Sequence, residues 1–145
     1  MMFQKAIDDT PELRDTYEPG LQALGNDSKK VHLADPKKCH GSVNIDKHLK
    51  TICPNENLWD YLFGYEDKAY FVEVHPACTS EVQTVINKLA WLKNRMRRWS
   101  VLIQNMPKTY HWIATNGIHI LKDSSEARLL AKAGLSIPKR VLKVG

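Results

Sequence analysis

The stretch that most constrains this 145-residue chain runs from Trp59 to His75. Trp59 to Tyr65 is aromatic and apolar, Glu66-Asp67-Lys68 is a charged turn, and Ala69 to His75 is a second β-rich run that Pro76 ends. Two such runs separated by a short polar turn predict a hairpin of adjacent antiparallel strands. An amphipathic helix follows. Ser80 as N-cap with Gln83 three residues later forms a capping box, and Val82, Val85, Ile86, Leu89 and Met96 fall at helical spacing. The pattern predicts a helix from about Ser80 to Arg98 with one core face.

The flanking elements follow from caps and turns. Thr10 as N-cap and Pro11 at the first helical position predict a helix toward Tyr17, interrupted by Pro19-Gly20, with a further turn at Leu21–Gly25. Asn26 to His40 is polar and lysine-rich and reads as a connection with one short strand. Residues 1–40 are thus a poorly defined helix and loop region, and residues 41–145 an α/β core, of a single domain. Within that core, Ser42–Ile45 reads as a strand, and Asp46 caps a helix through Ile52 that Pro54 closes. Asn116-Gly117 predicts a hairpin between Tyr110–Thr115 and Ile118–Leu121. Ser124 or Ser125 caps a helix through Ala133 that Gly134 stops, and the tail Ile137–Val144 is a last strand. The order helix, strand, strand, strand, helix, strand describes a central mixed β-sheet flanked by helices.

Charge is divided along the chain. Residues 1–81 hold 9 Lys+Arg against 14 Asp+Glu, a net of −5, whereas residues 82–145 hold 12 against only Asp123 and Glu126, a net of +10. A basic half favours a polyanionic partner. The longest stretch without a charged residue, Thr109 to Leu121, contains two His and Asn116, so no membrane span is expected, and the N-terminus lacks the apolar core of a secretory signal. Three cysteines, Cys39, Cys53 and Cys78, form no close pair, which fits a reducing, cytoplasmic setting. Cys39-His40, His48 and Cys53 carry zinc-ligand chemistry but match no familiar finger spacing.

Side chains alternate across a strand, so Phe71, Glu73 and His75 share one face. On adjacent antiparallel strands Asp60, opening the first, lies beside Glu73, ending the second. Glu is depleted inside strands, and Glu73 stands between Tyr70-Phe71-Val72 and Val74, so an acid there calls for an explanation.

A helix, an Asp opening a strand, an apolar strand ending Glu-x-Lys, then a helix and a further strand resembles the core of the PD-(D/E)XK, or restriction-endonuclease-like, nuclease superfamily. Asp60 matches the Asp and Glu73 the Glu, with twelve residues between them. The resemblance covers about Trp59 to Gly117. Two positions depart from it: His75 stands where the family has Lys, and Trp59-Asp60 where it has Pro-Asp.

The resemblance implies a small metal-dependent nuclease. Asp60, Glu73 and the carbonyl of Val74 hold Mg²⁺ or Mn²⁺, hard ions suited to oxygen ligands. His75 replaces the Lys as general base or further ligand, or marks a site without activity, and Gln83 resembles a Gln that some members place beside the site. Lys88 is a candidate for a migrated cation, but it stands about 140° round the helix from Gln83. DNA or RNA is the implied substrate, with Lys93, Arg95, Arg97, Arg98 and Lys108 attracting its phosphates. Trp91, Trp99, Tyr110 and Trp112 offer stacking surfaces if exposed, and a homodimer would suit the cutting of two strands. The alternative keeps the fold and removes the chemistry: an inactive nuclease-fold module that binds nucleic acid or a protein partner.

Overall fold

Two apolar runs closed by a two-residue turn organise the chain. The computed structural model describes residues 2–145, and in it β3 (Tyr61–Tyr65) pairs antiparallel with β4 (Lys68–Ala77). Glu66 and Asp67 between them both have positive φ, 49° and 61°, as a mirror-image type I turn requires of its two central residues. Ahead of them β2 (Cys39–Asn44) pairs antiparallel with β3. α3 (Val82–Met96) and the short α4 (Val101–Asn105) then carry the chain across to β5 (Lys108–Ile118), which runs parallel to β4. The sheet order is β2-β3-β4-β5. A second, two-stranded parallel sheet pairs β1 (Val31–Leu33) with β6 (Leu142–Val144). The chain is therefore an α/β domain with a central mixed sheet.

Alternation along the strands builds two cores. Leu62, Phe71, Trp112 and Ala114 face a layer formed by α1 (Met2–Asp8), α2 (Ile45–Leu49), α3 and α5 (Ser125–Ala133). Phe63, Tyr65, Val72 and Ile113 face the other way, against Leu24, Val31, Leu142 and Val144. Both cores exclude water, which at about 25 cal/mol per Å² of apolar surface drives the layering.

Four expectations from the sequence change. The segment after Thr10 is a single 3₁₀ turn, Pro11–Leu13, and the Thr10 hydroxyl donates back to the Ala6 carbonyl at 2.9 Å, closing α1 instead of opening a helix. Asn44, not Asp46, caps α2, its Oδ1 accepting from Lys47 N–H at 2.9 Å. No capping box forms at α3: a 3₁₀ turn at Thr79–Glu81 precedes it, and the Gln83 amide donates to Asn87 Oδ1 at 2.8 Å. Asn116-Gly117 does not turn. Neither residue has positive φ, and pairing with β4 carries β5 through to Ile118, which lies opposite Ala77. The cap of α5 follows the sequence: Ser124 Oγ accepts from Ala127 N–H at 3.1 Å, and Gly134 ends the helix at φ 95°.

Candidate functional site

The site is built by hairpin register. Tyr61 lies opposite Val72, so one step outward sets Asp60 opposite Glu73. Two backbone N–H groups tie the carboxylates to the opposite strand. Asp60 N–H donates to Glu73 Oε1 at 3.1 Å, and Val74 N–H donates to Asp60 Oδ2 at 2.9 Å. A strand residue sends its N–H and C=O to the same side, so the Val74 carbonyl also leaves toward Asp60. Glu73 is fully buried on the helix-covered face of the sheet. Asp60 is half-buried, and burial first, then the charge of Glu73, pushes its carboxyl up to about 7. Asp46 at the start of α2, which the sequence offered only as a helix cap, adds a smaller push in the same direction.

The cation at this pair comes from the helix. Lys88 Nζ donates to Glu73 Oε2 at 2.5 Å. Burial works against the Lys88 charge, but Glu73 outweighs it and raises its pKa. Gln83 is exposed and bonds to neither carboxylate. The 140° between the two residues is real, and it is Lys88 that faces the strands. The signal was a spacing of seven. Glu81, which caps α3, and Lys88 and Arg95 within it recur with about 20° of drift per step, so they form one row along the edge of the helix's apolar face. Each finds a polar partner: Glu81 meets the His75 imidazole at 2.6 Å, Lys88 meets Glu73, and Arg95 meets Glu12 at 2.6 Å.

His75 is held between acids. Its Nε2 bonds Glu81 Oε1 at 2.6 Å and its Nδ1 lies 3.4 Å from Glu73 Oε2. The bond to Glu73, against a smaller opposing effect of burial and with help from Glu81, raises its pKa above the ordinary value. With both ring nitrogens engaged, neither is free to ligate a cation or accept a proton. Trp112, buried on β5, donates its indole N–H to the His75 carbonyl at 2.9 Å. Together three carboxylates, Asp60, Glu73 and Glu81, face one ammonium and one imidazole.

Among the described residues no three His, Cys, Asp or Glu side chains form a group arranged to hold a metal ion. The Cys39, His40, His48 and Cys53 set accordingly forms no zinc site, and all three cysteines are free thiols. The donors at Asp60 and Glu73 nonetheless suit a hard ion. Magnesium keeps several waters and takes one or two carboxylates rather than a full protein cage. Each carboxylate offers roughly four lone-pair sites. Asp60 uses one of them, for the Val74 N–H.

The residues expected to attract phosphates divide. Lys93, Arg97 and Lys108 line one cleft together with Tyr110. Arg95 is withdrawn from any such surface: it is 8% exposed and paired in bidentate fashion with Glu12. Arg98 is exposed on the side of Glu12 and Glu56, whose carboxyls it helps to hold low, outside that cleft. Trp99 and Trp112 are buried and unavailable for stacking, and the half-buried Trp91 donates its indole N–H to Glu56 at 2.6 Å. Among the described residues no helix is long and apolar enough to cross a membrane.

No protein-family profile matches the chain, and no curated protein or solved structure matches it either.

Proposed function

We propose that the chain is a small metal-dependent nuclease that hydrolyses phosphodiester bonds in DNA or RNA, on a restriction-endonuclease-like core. The meeting of Asp60, Glu73 and Lys88 at the end of a hairpin, on the strand that leads into the crossover helix, carries this reading. The resemblance expects a lysine two residues after Glu73, where His75 stands; Lys88 supplies the ammonium from α3 instead. Asp60, Glu73 and the Val74 carbonyl would hold magnesium or manganese. The ion, when bound, polarises a phosphate and makes a coordinated water more acidic. Lys88 then faces the negative charge that grows on the phosphate, while His75 fixes the Glu73 carboxylate in place through its second bond to Glu81. Gln83 has no part in this arrangement.

The test is nicking of supercoiled plasmid. The purified protein is expected to nick in Mg²⁺ or Mn²⁺, with Asp60→Ala and Glu73→Ala abolishing the reaction. Lys88→Met is expected to slow it by about 10²–10³-fold, the usual cost of one donor to developing negative charge. Cleavage without metal, or untouched by these substitutions, refutes the assignment.

A second reading has one observation in its favour. Glu73 is wholly buried and already faced by an ammonium, as in a structural ion pair. In that case the fold binds nucleic acid without cutting it, and the same preparation shows steeply salt-dependent binding and no nicking.

A further inference from the structure

On the flank of α3 away from Lys88, the chain gathers cations without neutralising them. Lys93, Met96, Arg97, Gln104, Lys108 and Tyr110 line an open cleft of about 250 Å³. Among the described residues none of its three cations makes an ion pair, whereas Lys5, Lys30, Lys38, Lys50, Lys88 and Arg95 all do. Neutral groups hold two of them in position. Lys93 Nζ lies 5.1 Å from the centre of the Tyr110 ring and donates to the Ala133 carbonyl at the end of α5 at 3.3 Å. Lys108 Nζ donates to the carbonyls of Gln104 and Met106 at 2.5 and 2.9 Å. Carbonyl oxygens and a ring face orient an ammonium while leaving its net charge uncancelled, so the cleft keeps the field of three positive charges.

We propose that this cleft is a phosphate-binding site that takes one backbone phosphate of a nucleic acid strand, whatever its sequence. Size argues for a single group. Small-molecule sites occupy about 300–1,000 Å³, and this cleft is smaller and open. Chemistry argues against a base. Phe71 covers one face of the Tyr110 ring at 5.4 Å, and Lys93 covers the ring as well, leaving no platform for stacking. The basic surroundings argue for a polymer, since the half of the chain that forms the cleft carries only Asp123 and Glu126 as acids. The identity of the polymer rests on the proposed function; the existence of the anion site does not. Lys93 stands about 140° and Arg97 about 180° round α3 from Lys88, so the helix body separates this site from the carboxylates. The cleft therefore acts on affinity independently of the chemistry.

The experiment measures binding of a short fluorescent DNA strand by polarisation in EDTA, across about 50–200 mM salt. Lys93→Gln/Arg97→Gln is compared with Lys29→Gln/Lys122→Gln, which removes the same charge from exposed sites elsewhere. The cleft variant is expected to bind about tenfold more weakly, to lose about one from the slope of log affinity against log salt, and to do so equally for unrelated sequences. Equal behaviour of the two variants overturns the proposal, as does a loss confined to one sequence. Binding of inorganic phosphate itself at micromolar concentration, read by calorimetry, with no binding of the strand, assigns the site to a free anion and overturns the nucleic-acid identity. A protein that fails to nick plasmid but shows the expected difference refutes the nuclease assignment and leaves the cleft standing.

Discussion

Replacing Lys88 by methionine tests at once how the buried carboxylates are held and what they are for. The substitution keeps most of the side chain's length and removes the ammonium on Glu73, whose carboxylate is fully buried. Breaking a buried ion pair by deleting one partner costs about 3–5 kcal/mol. Lys88 keeps 19% of its side chain exposed, which argues for the lower end, about 3 kcal/mol. In EDTA, Lys88→Met is therefore expected to unfold at clearly lower urea concentration than the unaltered protein. Magnesium should reverse most of that loss, because a ligand at a hundredfold excess over its Kd stabilises by about 2.7 kcal/mol. The ammonium also repels any incoming cation. For a divalent ion at about 4 Å that repulsion lies between ~2 and ~8 kcal/mol, depending on the effective dielectric. Since 1.4 kcal/mol is a factor of ten, the variant should bind magnesium about tenfold more tightly or better. Urea unfolding followed by tryptophan fluorescence over a magnesium series measures both quantities. A variant as stable as the parent in EDTA, or one that magnesium does not stabilise, refutes the reasoning.

Two further outcomes follow from other parts of the structure. Burial pushes the Glu12 carboxyl up, but hydrogen bonds from Arg95 and Trp99 and the Arg95 charge outweigh it and hold it below 4.5. A carboxyl lowered on folding contributes stability above its unfolded pKa and loses it as pH falls through the folded one. Glu12→Gln should therefore be about 2 kcal/mol less stable at neutral pH, with the gap closing in acid, as urea midpoints at several pH values will show. Gly41 sits at φ 123° with Tyr17 Cε2 only 2.1 Å from where a Cβ would stand. Gly41→Ala is expected to cost about 2 kcal/mol or more, read by thermal unfolding.

The parts of the fold that local chemistry dictates were readable in the sequence. The β3–β4 hairpin follows from its two apolar runs, and a two-residue turn fixes which residues face one another, so the Asp60–Glu73 juxtaposition could be drawn without coordinates. The α5 cap is equally local. What escaped depends on distant partners. Asn116-Gly117 is a turn signal only while no strand competes for its backbone, and β4 does compete. α1 has only seven residues and takes its stability from burying Phe3, Ala6 and Ile7 against the sheet. The resemblance to a family Gln set Gln83 toward the site, and the helical spacing between the two residues then set Lys88 away from it. The row Glu81, Lys88, Arg95 carried the right phase, but it becomes readable only when Glu73, His75 and Glu12 are known to lie opposite.

That row also keys the helix against rotation. Aliphatic side chains accept many neighbours, so the face formed by Val82, Val85, Leu89 and Met96 would tolerate a modest turn about the helix axis with little change in buried area. The three charged residues would not. Their partners sit on two separate parts of the chain, β4 for Glu81 and Lys88 and the N-terminal segment for Arg95, so a rotation of the helix strains contacts with both parts. The hydrophobic face sets how firmly α3 adheres to the sheet, and the polar row sets the one angle at which it does so. A substitution in the core should loosen the helix, whereas a substitution in the row should let it turn, carrying Lys88 off Glu73 even when residue 88 itself is untouched.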